Sequence, residues 1–204
     1  MKLLRNKHRK GFTLIEILVV IAILASLGAI AWVAYGSIEK KRLNNLTQQH
    51  IEALSVSLTN YFNNAKPEDP ILWADGGEAG AVALYQMLSG DFDGDGKTDK
   101  GRASYCKELV HYEPGDSSKP EGIPYRSIGK NKYAIVDAWG QPISYRLGFE
   151  KYGTKKPGKK SKEKEQGKGI NVDFDIYSLG EDGLGDGLDN KGDNEDNLSN
   201  IKFL

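Results

Sequence analysis

The sequence Lys10-Gly11-Phe12-Thr13-Leu14-Ile15-Glu16-Ile17-Leu18-Val19 joins a short basic leader to a long apolar run. The leader carries five basic residues and no acidic one before the glycine. The run continues to about Tyr35 and is long enough to cross a bilayer as a helix. It contains one carboxylate near its start, and a charge inside a membrane span is costly and usually marks a function. We therefore expect a transmembrane helix over residues 12–35 whose single acid has a specific role.

The position of the glycine argues against an ordinary secretory signal. Such a signal places its small-residue cleavage site after the apolar run. Here Gly11 lies before the run, so cleavage at this point would leave the helix in the product. A plain single-pass anchor, with Glu16 reaching toward the interface, is the alternative, but it gives the carboxylate no purpose. The basic leader predicts an N-terminus on the cytoplasmic side.

This arrangement resembles the class III signal of type IV pilins and pseudopilins. The resemblance implies that a prepilin peptidase removes residues 1–11 as a leader, cutting between Gly11 and Phe12. It implies that the same enzyme methylates the new N-terminal Phe12. It also implies a role for Glu16 in assembly, because the matching glutamate of the family pairs with the N-terminal amine of a neighbouring subunit.

The helix is predicted to continue beyond the membrane. Residues 38–63 contain no Pro or Gly, and helix-forming residues dominate. Apolar residues recur there at helical spacing, at Leu43, Leu46, Ile51, Leu54, Leu58 and Tyr61. We therefore expect an amphipathic continuation over residues 36–64, ended by Pro67. The resemblance implies a globular periplasmic head over residues 65–204.

Local patterns in the head predict an α+β fold with a small antiparallel sheet. They indicate a helix over 81–88 and strands over 133–136, 143–147 and 173–178. The first two strands are expected to form a hairpin through the turn at 137–142. The stretch from 100 to 130 is rich in Gly, Pro and Ser and is interpreted mainly as loop. Residues 151–169 hold eight Lys and two Glu, which predicts a mobile loop.

Charge is balanced over the chain but not along it. There are 28 basic and 28 acidic residues in total. From residue 171 to the end there are nine acidic residues and only two lysines. This bias argues against nucleic acid as a partner and is compatible with cations. The single cysteine, Cys106, excludes an internal disulfide and is expected to be a buried thiol.

Two motifs in the C-terminal part of the chain make the family resemblance more specific. D-A-W-G-Q-P at 137–142 and D-F-D-I-Y-S-L-G-E-D-G at 173–183 resemble the major pseudopilin of the type II secretion system. In that family the loop after the second motif binds one calcium ion. Carried over to this chain, the implied ligands are the carbonyl of Leu179 and the carboxylates of Asp182, Glu195 and Asp196. The chain departs from the family pattern because no tryptophan follows the acidic pair.

Elementary chemistry supports calcium in this loop. Calcium takes six to eight oxygen ligands and tolerates irregular loops. So many carboxylates close together would repel one another without a cation. The alternative is an acidic, disordered tail, which the strand before the loop and the apolar terminus after it make less favourable.

A second calcium site is predicted in residues 91–99. Oxygen-bearing side chains occupy positions 1, 3, 5 and 9 of an EF-hand-like pattern, a glycine occupies position 6, and position 7 offers its carbonyl. The residues are Asp91, Asp93, Asp95, Lys97 and Asp99. Arg102 stands where the closing glutamate of an EF-hand would be, so this is not a standard EF-hand. The alternative is a polar turn after the short helix.

These observations favour a structural protein over an enzyme, since no nucleophile elbow, His pair or phosphate loop is present. We expect a pseudopilin subunit in the inner membrane that polymerises into a type II secretion pseudopilus and supports protein export. The expected partners are further copies of the chain, minor pseudopilins, the inner-membrane assembly platform and prepilin peptidase. The alternatives are a type IV pilin for adhesion, motility or DNA uptake, and a calcium-regulated, membrane-tethered binding module.

Overall fold

The computed structural model describes residues 12–113, 121–154, 165–185 and 196–201. Two helices are present in this part of the chain, α1 over Leu14–Asn64 and α2 over Gly77–Ser89. The strands are β1 Leu109–His111, β2 Ile123–Gly129, β3 Lys132–Ile135, β4 Ser144–Leu147, β5 Tyr152–Gly153, β6 Glu165–Gln166, β7 Phe174–Ser178 and β8 Leu198–Ser199. The α+β class predicted from the sequence is therefore confirmed.

The strands form three small sheets. The first has the order β1-β2-β3, with β1 parallel to β2 and β2 antiparallel to β3. The second has the order β4-β7-β8 and is antiparallel throughout. The third is the pair β5-β6, which lies within the stretch predicted as a mobile loop; residues 155–164 of that stretch are outside the described residues. The mixed first sheet differs from the predicted purely antiparallel one.

The chain divides into two compact units, Met1–Arg42 and Leu43–Leu204. In the first unit the described side chains from Phe12 to Leu27 are exposed, including all the large apolar ones. No helix among the described residues combines the length and the apolarity that a membrane crossing requires. The span predicted over 12–35 includes positions 30, 31, 33 and 34, whose side chains lie outside the described residues.

In the second unit, one stripe of α1 forms the centre of the core. The buried positions follow the three-and-four spacing of a helix face. They are Thr47, His50, Ile51, Leu54, Leu58 and Tyr61. Buried residues of α2 and of strands β3, β4 and β7 complete this core. The amphipathic pattern of the sequence thus identifies the face of α1 that holds the head together.

Two predictions made from the sequence, a hairpin and a loop, require correction. The predicted hairpin of 133–136 with 143–147 is wrong, because β3 pairs with β2 while β4 pairs with β7. The two segments are linked by an isolated antiparallel bridge between Val136 and Pro142 and by the Ile143 N–H, which donates to the Ile135 carbonyl at 2.8 Å. The stretch predicted as loop before residue 130 contains β1 and β2. Pro124 argues against a strand there, but its carbonyl still accepts the Val136 N–H at 2.9 Å.

The α1 stripe allows a direct test of the core. Leu54 is fully buried, whereas Val56 on the same helix is 63% exposed. We expect Leu54→Ala to lower the free energy of unfolding by about 2–5 kcal/mol, because it leaves a cavity. The matched control Val56→Ala should change it by about 0.5 kcal/mol or less. Denaturant unfolding of the full chain in detergent measures both values, and equal losses would contradict this core assignment.

Candidate functional site

The start of α1 carries a capping box built from Thr13 and Glu16. The Glu16 backbone N–H donates to Thr13 Oγ1 at 3.3 Å, and Glu16 Oε2 accepts the Thr13 N–H at 2.7 Å. Ser or Thr at the N-cap with Glu three residues later satisfies two otherwise unpaired donors in this way. The carboxylate therefore has a local structural role that sequence reasoning missed, although the T-x-x-E spacing could have revealed it. Gly11 lies outside the described residues, and Phe12 is exposed.

The loop at 91–99 is organised around one buried carboxylate. Asp91 is fully buried, and its Oδ1 accepts the Gly94 N–H at 2.7 Å. Its Oδ2 accepts the Gly96 N–H at 2.9 Å and the Tyr85 hydroxyl at 3.0 Å. A carboxylate that accepts backbone N–H groups from the residues after it folds the loop back on itself, which is why the sequence turns so tightly here.

Three of the predicted ligands of this loop converge. One carboxylate oxygen from each of Asp91, Asp93 and Asp99 lies within 4.8 Å of the other two. Among the described residues, these three carboxylates are close enough together to hold a metal ion. Oxygen-only donors of this kind suit a hard cation such as calcium.

Two of the predicted ligands are not part of this group. The Asp95 carboxylate lies outside the convergent group, and its Oδ1 accepts the Lys97 N–H at 2.8 Å. Lys97 was predicted to bind through its backbone carbonyl, and that prediction is not tested by the convergence of acidic side chains.

Neighbouring residues brace the loop and partly balance its charge. Gly94 has φ +74°, and a Cβ there would lie 2.2 Å from the Asn131 carbonyl oxygen, so a larger residue cannot be accommodated. The Asn131 side chain donates to the Asp93 carbonyl at 3.3 Å. Arg102 forms an ion pair with Asp69, lies 3.8 Å from Asp99, and its guanidinium stacks over Phe92. Arg102 therefore offsets acidic charge at the position where an EF-hand has glutamate.

The C-terminal loop brings together part of the second predicted set. Asp196 Oδ2 accepts the N–H groups of Glu181 at 2.8 Å and Asp182 at 3.3 Å. Asp182 Oδ1 accepts the Leu184 N–H at 2.8 Å. Leu179 directly follows β7 at the start of the same loop. Glu195, the remaining predicted ligand, lies outside the described residues.

Asp137 supports this loop and was not identified from the sequence as a site residue. Its Oδ2 accepts the Ser178 hydroxyl at 2.6 Å, and Ser178 Oγ accepts the Gly180 N–H at 3.1 Å. Its Oδ1 accepts the N–H groups of Trp139 and Gln141. Burial raises the pKa of the Asp137 carboxyl, and these hydrogen bonds oppose the rise. The D-A-W-G-Q-P turn is therefore tied to the beginning of the C-terminal loop.

Comparison with known proteins identifies the N-terminal segment. Residues 6–32 match the Prokaryotic N-terminal methylation motif. The chain carries a type IV pilin-like signal. No curated protein and no solved structure matches the chain. This signal indicates prepilin cleavage and methylation and a subunit of the pilin or pseudopilin kind, and the match does not distinguish between these two kinds.

The raised pKa of Asp137 gives a pH-dependent prediction. A carboxyl whose pKa is higher in the folded than in the unfolded state binds more protons when folded, so its contribution to stability falls as pH rises. The fall begins near the ordinary value of about 4 and ends above the folded pKa. Relative to Asp137→Asn, the wild type should therefore lose stability as the pH rises from about 4 through the raised pKa of the folded state. Denaturant unfolding of both proteins, with chelator and at fixed ionic strength, measures this difference. A difference that grows in favour of the wild type would show that the hydrogen bonds outweigh burial.

Proposed function

We propose that this chain is a structural subunit of a helical filament, a pseudopilin of a type II secretion pseudopilus that supports protein export. One observation carries the proposal: the methylation motif opens a helix whose first part leaves its large apolar side chains uncovered. From Phe12 to Leu27 eleven such side chains are exposed. A soluble monomer seldom exposes so large a contiguous apolar surface. Packing of these segments in a membrane, and then against one another in a filament, would cover it.

Glu16 is proposed to guide this packing. Removal of a leader after Gly11 would create an amine at Phe12, four residues before the carboxylate. An amine of one copy paired with Glu16 of the next would compensate two charges that are costly in an apolar core. The capping box occupies one oxygen, Oε2, with two donors from Thr13. The second oxygen could accept the partner's amine while the cap is retained.

The proposed localisation follows from the same segment. Before assembly the subunit is held in the bacterial inner membrane by residues 12–35, with the leader in the cytoplasm and the head in the periplasm. Prepilin peptidase processes it there, and the assembly platform and minor pseudopilins act with it in building the filament.

Calcium is proposed to brace the head at two loops. The first is the loop of Asp91, Asp93 and Asp99, whose oxygens already converge. The second is the C-terminal loop, with the Leu179 carbonyl and the carboxylates of Asp182, Glu195 and Asp196. A cation at each loop would neutralise acidic groups that otherwise repel one another.

Two features favour a pseudopilin over a type IV pilin. Cys106 is the only cysteine of the chain and is buried, so a disulfide-closed loop like that of many pilins cannot form. The Y-S-L-G-E-D-G segment at 177–183 also resembles the major pseudopilin rather than pilins of adhesion or DNA uptake. A type IV pilin remains the second candidate because it shares the N-terminal motif.

Processing gives the first test of this proposal. In a host with an active prepilin peptidase, the mature chain should begin at N-methylated Phe12. Gly11→Leu should block cleavage, because the peptidase would meet a bulky residue at the junction. Intact-mass measurement of the purified membrane protein detects both the loss of residues 1–11 and the added methyl group. A wild-type chain that keeps its leader in this host would contradict the proposal.

Secretion then separates the two candidate systems. Deletion of the gene should abolish export of folded proteins and leave surface pili intact if the chain is a pseudopilin. Loss of pili with normal export would favour the type IV pilin instead.

Calcium binding at the first loop has a matched pair of variants. We expect calcium to raise the unfolding midpoint of the full chain in detergent, because the ligands are assembled only in the folded state. Asp93→Asn should reduce this gain, whereas Asp95→Asn should largely keep it, since the Asp95 carboxylate is outside the convergent group. Magnesium should substitute poorly because of its stricter octahedral geometry. Thermal unfolding with calcium, magnesium or chelator at fixed ionic strength measures these differences.

The second loop is tested in the same assay. Asp182→Ala should reduce the calcium response more than Asp186→Ala, and the response that remains should disappear when Asp93→Asn is added. Identical midpoints of the wild type in calcium and in chelator would defeat both calcium assignments while leaving the filament proposal unaffected.

A further inference from the structure

The final part of the first unit, residues 32–42 of α1, passes from aromatic to basic side chains. Trp32 and Tyr35 are 83% and 70% exposed. Three exposed basic residues follow them, Lys40, Lys41 and Arg42. The sequence from residue 12 to residue 39 contains no Lys or Arg. Once the leader is removed, these three residues are therefore the first cations of the chain.

The spacing of these residues along α1 matches the layers of a bilayer. Trp32 follows Phe12 by twenty residues, which is about 30 Å of helix and the thickness of the hydrocarbon layer. Trp and Tyr collect at the level of the lipid headgroups, where the ring is in contact with acyl chains and its N–H or O–H meets polar groups. Lys40 lies about 12 Å further along the axis. Its long side chain can reach back toward the headgroups, and its charge acts over a further ~8 Å at physiological ionic strength.

The cations surround the helix and are not gathered on one face. Successive residues of an α-helix are about 100° apart, so Lys40 to Arg42 cover about 200° of its circumference. Arg42 donates two hydrogen bonds to Glu39, from Nε at 2.8 Å and from Nη2 at 2.6 Å. Residues 36–42 contain three basic residues and one acidic residue, so their net charge is +2. Positive charge spread around a helix suits a plane of headgroups, whereas a single protein surface would contact one face.

We propose that residues 32–42 bind the headgroups of anionic phospholipids on the side of the membrane opposite to the leader. The lipid phosphate accepts hydrogen bonds from the Lys ammonium groups, and the Trp32 ring holds the helix at headgroup depth. Each lysine close to an anionic surface raises the affinity roughly five-fold. The inference rests on the proposed membrane localisation, and it names the lipid class that holds the processed subunit before assembly.

Lipid retention by the full-length chain tests this contact. The protein is extracted with mild detergent from a membrane of phosphatidylglycerol and phosphatidylcholine, and native mass spectrometry counts each lipid per chain. The wild type should retain phosphatidylglycerol several-fold over phosphatidylcholine. Lys40→Gln combined with Lys41→Gln should lower this preference several-fold, because glutamine suits a helix but carries no charge. The matched control, Lys100→Gln with Lys130→Gln, removes two charges from exposed positions of the head and should behave like the wild type.

Two further comparisons separate the charges from the aromatic ring. The leader and the lysine-rich sequence at 155–164 are the same in all these proteins, so a difference between them belongs to the substituted residues. Higher ionic strength should lower the preference of the wild type, because it screens the lysines. Trp32→Leu should retain less lipid of both kinds but keep the dependence on ionic strength, since the basic residues remain.

Three results would overturn the contact. Equal retention of both lipids by the wild type would show that no anionic lipid is selected. An unchanged preference in the Lys40 and Lys41 double variant would place lipid binding at another basic segment. Unchanged lipid retention with loss of filaments in that variant would assign the cations to a neighbouring subunit instead.

Cleavage and filament yield, measured in the same cells, separate this inference from the proposed function. A wild-type chain that is cleaved after Gly11 and assembles, but shows no lipid preference, would lose only the lipid contact. A chain that keeps its leader and forms no filament would overturn the proposed function as well.

Discussion

The burial of one stripe of α1 is the interaction on which the head depends. From Thr47 to Tyr61 the buried positions follow one face of the helix, and α2 and the strands of two sheets pack around it. The same helix begins with a segment that has no such cover, where every described side chain up to Leu27 is exposed. The apolar side chains of α1 are therefore buried within the subunit in the second unit, and they are exposed in the first. This division is what a subunit needs if it folds alone and assembles through its first helical turns.

Three aspartate carboxylates organise loops of the head through hydrogen bonds. Asp91 folds the 91–99 loop by accepting N–H groups from residues that follow it. Asp137 connects the turn before β4 to Ser178 at the end of β7. Asp196 holds the N–H groups of Glu181 and Asp182. Carboxylates placed in this way order loops, but they also concentrate negative charge, and this is the reason for the proposal that calcium stabilises the head.

Local patterns in the sequence predicted the parts of the structure that depend on neighbouring residues. The three-and-four spacing from Ile51 to Tyr61 was sufficient to identify the buried face of α1, and the Asp91 pattern located the convergent carboxylates. Pairing between distant strands was not predictable, since nothing local indicates that β4 joins β7 rather than β3. Asp95 was predicted as a ligand from spacing, but its carboxylate does not converge with those of Asp91, Asp93 and Asp99, because convergence depends on the backbone path of the loop. The capping role of Glu16 was missed because the motif at this position suggested only assembly.

The charge of Glu16 is proposed to act between subunits as well as within its own helix. Glu16→Gln separates the two roles, because glutamine keeps the capping box but removes the charge. Filament yield in an overproducing strain, with cleavage at Gly11 checked in the same cells, is the measurement. We predict that Glu16→Gln and Glu16→Ala are both inserted and cleaved and that both assemble poorly, whereas Glu39→Ala, a charge loss elsewhere on α1, assembles like the wild type. Wild-type filament yield for Glu16→Gln, with loss only for Glu16→Ala, would contradict the account and reduce Glu16 to a helix cap.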